Sequence, residues 1–286
     1  MKFTYRLLSC LLLLTALGCQ TENETVVPDQ QASSSGTARV SVTNLRLKQM
    51  LVSGNNGGLG PMFTTTYFKY NPNNQLEKAT APTSTMAGKL TYEYIYDQQG
   101  RLSVYRVLNE NPNNEGSIGV QSTFTRSSGK IVQAYARVQA SGQLLPPYLE
   151  PNLKTTYRIN GQGQIIEQIQ EGIVRYGSET SQRLVYTYEN GNVVKQKMVN
   201  AQSQTEFTIT YKYDNKVNPF YQKSYLFDPA LHCSRNNVVS AQFNSNPPQL
   251  RKYTYNAQGL PLTQTYVSTG AVLSYVYEIN EGSVVK

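Results

Sequence analysis

The stretch YDQQGRL, from Tyr96 to Leu102, decides how the rest of the chain is interpreted. It follows an alternating segment in which tyrosines at every second position fall on one face of a strand. Asp97 can accept hydrogen bonds from backbone amides in a type I turn, and Gly100 can adopt the positive φ of a bulge residue. An alternating return strand begins directly after this glycine. The stretch therefore predicts a β-hairpin rather than a chemical site.

The same pattern recurs between other alternating segments, at residues 71–74, 126–129, 160–163, 189–192 and 256–259. Asn74 stands where the other turns carry glycine, and asparagine tolerates the left-handed region. Asn190-Gly191 favours a two-residue type I′ turn. The glycines at positions 100, 129, 163 and 191 stand 28 to 34 residues apart. One hairpin per period predicts an all-β fold, an antiparallel meander of repeated hairpins.

Residues 1–18 are predicted to be a lipoprotein signal peptide. Lys2 and Arg6 precede an apolar run that is far shorter than the roughly 20 residues a membrane-spanning helix needs. Ala16-Leu17-Gly18-Cys19 resembles a bacterial lipobox, in which Cys19 becomes the acylated first residue of the mature protein. Alanine replaces the usual leucine of that motif, and plain secretion after cleavage by an ordinary signal peptidase is the alternative.

Residues 19–37 are predicted to form a flexible acidic tether, because they contain too few large apolar residues to offset the entropy of ordering. Acidic residues behind a lipidated cysteine resemble the export signal of surface-exposed lipoproteins in the Bacteroidota. A solvated spacer is the alternative interpretation. Residues 38–286 are then a single all-β domain.

Two stretches resemble known families. Residues 96–102 resemble the YD repeat of Rhs-type shell proteins, whose strands wind into large enclosures. The segment from Tyr211 to Phe220, together with Ser234 to Val238, is similar to a Bacteroidota family of lipoproteins of unknown function with a porin-like fold. The second resemblance implies a meander that is closed or nearly closed into a barrel, and it implies no activity.

The two faces of the predicted strands differ in composition. One face carries tyrosine, and the other carries Thr, Lys, Arg and Glu, so neither offers the apolar band of a transmembrane barrel. We therefore expect a soluble barrel whose lipid is its only membrane contact. The tyrosines either pack the sheet interior or form a stacking platform for a flat ligand such as a sugar. The absence of tryptophan counts against strong sugar stacking.

Residues 218–248 break the hairpin pattern and are interpreted as a loop that plugs or caps one end of the sheet. Asp228 and Pro229 favour a short helix within it. His232 lies beside Cys233, but two adjacent ligands without a third make neither a zinc site nor a catalytic pair. If the protein has a binding site, we expect it in this segment, at Tyr221, His232, Arg235 and Asn236, together with Tyr213 of the preceding strand.

Several classes of function are disfavoured. The formal net charge is +8, but no run of basic residues exceeds Arg251-Lys252, so nucleic acid is not an expected partner. After processing at Cys19, Cys233 has no cysteine to pair with. We predict no metal, no cofactor and no catalytic residues, because phosphate-loop, nucleophile-elbow and EF-hand motifs are missing.

These patterns predict an outer-membrane lipoprotein that acts as a non-catalytic binding or interaction module at the cell surface. Its partner would be a glycan or a protein of the envelope. One alternative is a structural accessory of an envelope complex, and another is a glycan hydrolase with an unrecognised carboxylate pair. A periplasm-facing or secreted protein is the alternative location.

Overall fold

The computed structural model describes residues 45–55, 61–82, 88–110, 118–139, 143–144, 153–175, 178–200, 206–221 and 229–279. Within them, sixteen antiparallel strands form a closed barrel. The strands are β1 (Leu45–Asn55), β2 (Pro61–Tyr70), β3 (Leu76–Pro82), β4 (Lys89–Tyr96), β5 (Leu102–Glu110), β6 (Ile118–Ser127), β7 (Lys130–Gln139), β8 (Lys154–Ile159), β9 (Ile165–Arg175), β10 (Ser178–Glu189), β11 (Asn192–Asn200), β12 (Glu206–Val217), β13 (Asn236–Phe243), β14 (Gln249–Tyr255), β15 (Pro261–Tyr266) and β16 (Val272–Ile279). One short helix, α1 (Pro229–His232), lies between β12 and β13.

The barrel is an up-and-down meander. Each strand pairs with its neighbours in sequence, and β1 pairs with β16 to close the ring, starting at Leu45 opposite Ile279. The predictions of an all-β class, of an antiparallel meander and of a barrel are confirmed, and the barrel is closed. The predicted signal peptide, the tether and Cys19 lie outside the described residues.

The two ends of the barrel are built differently. Tight turns at residues 71–75, 97–101, 128–129, 160–164, 190–191 and 256–260 join even-numbered strands to the odd-numbered strands that follow them. We call this end the turn end, and we call the opposite end the loop end. The first residue of β1 and the last residue of β16 also lie at the turn end, because β1 runs from there toward β2.

The turn after β4 has the geometry that YDQQGRL predicts. The carbonyl of Asp97 accepts a hydrogen bond from the amide of Gly100 at 3.0 Å, and Gly100 has a φ of 73°. The Asp97 carboxylate accepts hydrogen bonds from the amides of Gln99 at 3.0 Å and Arg101 at 2.9 Å. Asn71, Asn160 and Asn256 open equivalent turns in which their side-chain oxygens accept backbone amides.

Acidification should test the contribution of the Asp97 turn. Slight burial opposes ionisation, but hydrogen bonds from Arg101 and its positive charge hold the pKa of the Asp97 carboxyl below its usual 3.8. A lowered folded pKa means that the stabilisation is complete above pH 3.8 and is lost as the pH falls through the folded value. The melting temperature should therefore fall less between pH 5 and pH 2 for Asp97→Asn than for the wild type. Equal acid losses would contradict this prediction.

Tyrosine side chains fill much of the lumen. Tyr94, Tyr105 and Tyr157 are almost fully buried, and the rings of Tyr94 and Tyr105 lie 5.2 Å apart between centroids. They pack with the aliphatic residues that begin the return strands at the turn end, such as Leu76 and Leu102. Such large rings bury extensive apolar surface, and each hydroxyl needs a partner away from water.

Several tyrosine hydroxyls make the same kind of hydrogen bond, each to a backbone carbonyl beside a β-bulge. In five of the hairpins among the described residues, a β-bulge at the second residue of the return strand, or at the third in β11, disturbs the ladder beside it. A tyrosine near the end of the next even-numbered strand donates to the carbonyl of the residue before the bulge. The pairs are Tyr96–Leu76 at 2.8 Å, Tyr188–Ile165 at 2.7 Å, Tyr213–Val193 at 2.6 Å and Tyr277–Pro261 at 2.9 Å.

Charged residues follow the outer face of the wall in cross-strand pairs. The Glu93 carboxylate lies 3.7 Å from Lys78 on one neighbouring strand and 3.7 Å from Arg106 on the other. Glu167 likewise lies between Arg158, at 3.0 Å, and Arg183. Opposite charges at facing positions stabilise antiparallel pairs by about 0.2–1 kcal/mol each.

The prediction that residues 218–248 form one loop is wrong in its second half. Residues 236–243 form β13, which pairs with β12 and β14, and a turn at residues 244–246 follows. The alternation of this strand was hidden by its polar residues, which include two asparagines and a glutamine. The predicted short helix is confirmed as α1, while Asp228 lies outside the described residues.

Candidate ligand pocket in the barrel lumen

The described parts of the connection between β12 and β13, residues 218–221 and 229–235, fold into the lumen. Ala230, His232 and Cys233 are buried, and Ala230 and Cys233 belong to the same core cluster as the lumenal tyrosines. The Phe220 ring and the His232 imidazole lie nearly perpendicular to each other, with centroids 6.1 Å apart. This connection therefore plugs the turn end of the barrel, as its position in the sequence predicts. We call it the plug.

Hydrogen bonds fix the plug to the wall. The Ser234 hydroxyl accepts the amide of Val193 and donates to the hydroxyl of Tyr213, both at 3.0 Å. The Asn218 side chain donates to the Ser234 carbonyl at 2.8 Å. Ser234 has no exposed surface, so removing its hydroxyl would leave the Val193 amide without this partner in a dry environment.

The five candidate binding residues lie together around the plug. Tyr213 bonds to Val193 in the wall, and Asn236 exchanges hydrogen bonds with Asn192, each at 3.0 Å. His232 is buried, as described above. Each of these side chains has a structural partner in the wall or within the plug, and no observation on this structure assigns them a ligand.

Arg235 is the exposed member of this group. Its Nε lies 3.5 Å from the hydroxyl of Tyr221, the fifth candidate. The Arg235 side chain also crosses Gly191, where an added Cβ would lie 2.7 Å from Cδ of the arginine. Glycine at this position therefore serves both the positive φ of 77° and the close approach of the arginine.

Lowering the pH should destabilise the plug through His232, the only histidine in the chain. Burial lowers the pKa of the His232 imidazole well below its usual 6.5. The unfolded chain then binds a proton that the folded chain does not, so stability falls as the pH drops below 6.5, with a limiting slope of about 1.4 kcal/mol per pH unit. Chemical denaturation between pH 7 and pH 5 should show that the free energy of unfolding of His232→Gln depends less steeply on pH than that of the wild type. The same slope in both proteins would contradict this prediction.

A pocket of about 260 Å³ lies beside the plug, on its loop-end side. It is lined by residues of β12, β13, β14 and α1: Ile209, Tyr211, Ala230, Val238, Ala241, Phe243, Gln249 and Arg251. Ala230 and Val238 are buried and form its floor, whereas Phe243 and Gln249 are exposed at its mouth. The mouth therefore faces the loop end.

The pocket combines apolar walls with one cationic side chain. The Arg251 guanidinium lies over the Tyr266 ring, 5.3 Å from its centroid. Burial raises the pKa of the neighbouring Tyr253 to about 12, and the positive charge of Arg251 opposes this increase. At the rim, the Phe243 ring stacks on Phe207 with centroids 5.3 Å apart. None of the described lining residues is Asp or Glu.

The sequence reasoning missed this pocket, although a signal was present. In the sequence, Arg251-Lys252 stands out only as a short basic run. The alternation of β14 places Arg251 on the same face as Tyr253 and Tyr255, and Lys252 on the outer face, where it is exposed. A positively charged residue on the tyrosine face of a strand indicates a polar site inside the barrel.

Two further features concern the described residues only. No group of three or more His, Cys, Asp or Glu side chains is placed to hold a metal ion within that part of the chain. None of its helices has the length and apolar character needed to cross a membrane.

Comparisons with known proteins give a likeness in structure only. No protein-family model matches the chain, and no curated protein matches it in sequence. A porin-like protein of Bacteroides uniformis is similar in structure, with a TM-score of 0.50 and 13% identity over 81% of this chain and 98% of that one. A porin-like protein of Bacteroides vulgatus has a TM-score of 0.39 and 11% identity over 82% and 98% of the two chains. The first likeness supports a porin-like barrel fold.

Proposed function

We propose that this protein is a non-catalytic binding barrel that holds a small ligand in its lumenal pocket and is anchored to the outer membrane through Cys19. The observation that carries this proposal is the pocket between β12, β13, β14 and α1. Its volume of about 260 Å³ lies just below the range of about 300–1,000 Å³ typical of ligand sites and suits a small ligand. Apolar walls with a few polar groups are the usual composition of such sites.

The outer face supports a barrel that stands in water. Glu93 and Glu167 each lie between two cationic side chains of neighbouring strands. Removing such charges from water costs several kcal/mol per ion, so this face is poorly suited to hydrocarbon. In this proposal the acyl chains on Cys19 are the membrane contact, and their burial contributes about 0.8 kcal/mol per methylene group.

The first strand begins at the end of the barrel opposite the pocket mouth. β1 begins at the turn end, so the segment between Cys19 and Leu45 reaches the barrel there. The pocket mouth lies on the loop-end side, at Phe243 and Gln249. The tether would therefore join the barrel at the end opposite the pocket mouth, which leaves the mouth open to a ligand.

A thermal-shift screen tests the binding proposal. The chain from Gln20 to Lys286 would be screened against oligosaccharides, small carboxylates, neutral aromatic compounds and polyanions. A ligand at 100 times its dissociation constant should add about 2.7 kcal/mol to the free energy of unfolding, which a melting curve detects. A folded protein with no shift across the whole panel would contradict the proposal.

The anchor has its own test. Cells that express the full chain should incorporate a labelled fatty acid into it and retain it in the membrane fraction, and Cys19→Ala should abolish both. Cys233→Ala is the matched control, because its thiol is buried in the folded barrel and should not affect labelling. Release of the unaltered full chain into the medium, without label, would support plain secretion.

A structural role in an envelope complex is the second candidate. The observation in its favour is the burial of the tyrosine face: hydroxyls of Tyr96, Tyr188 and Tyr277 bond to wall carbonyls, and Tyr157 is almost fully buried. These tyrosines act as scaffold and leave no broad stacking platform at their positions. A thermal-shift screen in which no ligand binds, together with the isolation of a stable protein partner, would favour this candidate.

A further inference from the structure

We infer that the ligand of the lumenal pocket is a compact monocarboxylate with an apolar or aromatic body. This inference rests on the proposed binding function and specifies its ligand class. Arg251 would bind the carboxylate, and the walls formed by Ile209, Val238, Ala241 and Phe243 would cover the body.

Arg251 is suited to a carboxylate. Its planar guanidinium can offer two parallel N–H donors to the two oxygens of one carboxylate, and such pairs are among the stronger hydrogen bonds in proteins. The Tyr266 ring, 5.3 Å from the guanidinium, stabilises the cation and restricts its plane. The guanidinium is therefore partly oriented before a ligand arrives, which lowers the entropy cost of binding.

The charge balance favours a single negative charge. Arg251 is the one cation among the described residues that line the pocket. A carboxylate carries one charge, whereas a phosphate monoester carries about −1.5 to −2 at pH 7 and would remain partly uncompensated beside apolar walls. A neutral ligand would displace water from the Arg251 guanidinium without supplying a negative charge, and this desolvation would weaken its binding.

The polar groups of the lining are too few for a sugar. The Tyr211 hydroxyl already donates to the side-chain oxygen of Gln196 at 3.0 Å. A sugar presents several hydroxyls that would each need a partner when buried. The aliphatic and aromatic lining residues match an apolar body, whose burial contributes about 25 cal/mol per Å². The volume of about 260 Å³ suits a single ring or a short branched chain.

Phenylacetate, phenylacetamide and phenyl phosphate are the probes for this inference. Titration calorimetry on the chain from Gln20 to Lys286 should give the highest affinity for phenylacetate, with the amide and the phosphate at least about tenfold weaker. Arg251→Gln should lower the affinity for phenylacetate about tenfold or more and lower the affinity for the amide by a smaller factor, because a neutral amide does not pair with the positive charge. Lys252→Gln is the matched control, because Lys252 is the next residue of β14 and lies on the outer face.

The outcomes separate the ligand class from the binding function. Equal affinity for acid and amide, or an Arg251→Gln variant that binds phenylacetate normally, would overturn the monocarboxylate inference and leave the binding function standing. Binding of a sugar from the thermal-shift panel without binding of phenylacetate would do the same. No binding by any compound of either panel would overturn the proposed function itself. If Arg251→Gln fails to fold, the comparison of acid with amide in the wild type still decides.

Discussion

Tyr157→Ala should lower the free energy of unfolding by about 3–5 kcal/mol, the usual cost of removing a buried aromatic ring. Tyr157 retains only 1% of its exposure. Its hydroxyl donates to the side-chain oxygen of Gln133 at 2.8 Å, and the Gln133 amide in turn donates to Ser122 at 2.9 Å. Alanine would therefore create a cavity and also leave a buried glutamine oxygen without its donor. Urea denaturation followed by circular dichroism measures this loss.

Two variants separate the parts of this effect. Tyr157→Phe keeps the ring and removes the hydroxyl, so it should cost about 1–3 kcal/mol, the penalty of one unsatisfied buried group. Tyr67→Ala is the surface control, because Tyr67 is 51% exposed, and it should change stability by about 0.5 kcal/mol or less. Similar losses at Tyr157 and Tyr67 would contradict a lumen packed by tyrosine.

Gly119→Ala should be nearly as damaging, although it adds one methyl group. A Cβ at this position would overlap the carbonyl oxygen of Val107 and would lie 2.7 Å from Cδ2 of Leu108. The first contact is with the backbone of β5, which cannot rotate away as a side chain can. Relieving it requires β5 and β6 to separate, so we expect a loss at or above about 3 kcal/mol, the upper end of the usual overpacking cost.

Gly161→Ala is the matched control for Gly119→Ala. Nothing lies within 4 Å of a Cβ at Gly161. This substitution should be neutral, or stabilising by about 0.4–1 kcal/mol through the entropy of the unfolded chain. Thermal unfolding of the two variants side by side tests the contrast. Equal melting temperatures would show that β5 and β6 tolerate separation at this point.

The sequence predicted those features that depend on neighbouring residues. Asp97 and Gly100 determine their hairpin through contacts within five residues, so the pattern in the chain is sufficient. The same reasoning located the turns at Asn160 and Asn256. The break in the hairpin pattern after residue 217 predicted a loop that plugs or caps one end of the sheet. Alternation also placed tyrosine and charge on opposite faces of the strands.

Features that depend on distant residues were not predictable. Tyr96 bonds to Leu76, 20 residues earlier, and no local pattern reveals that its hydroxyl serves a bulge on another strand. The polar residues of β13 are typical of a loop, and only the pairing with β12 identifies this segment as a strand. The pocket joins Ala230 of the plug to Arg251 of β14, and only the folded lumen brings them together.

The pairing of β1 with β16 has a kinetic consequence. The other fifteen strand pairs join neighbours in sequence, whereas the bond from Arg46 to Glu278 spans 232 residues. Closing so long a loop costs about 2 kcal/mol more than closing a hairpin of roughly 20 residues. Ring closure should therefore be the late step in folding, and until it occurs both terminal strands have open edges. Two such chains in contact can each accept the terminal strand of the other, so refolding at high concentration should yield strand-exchanged dimers.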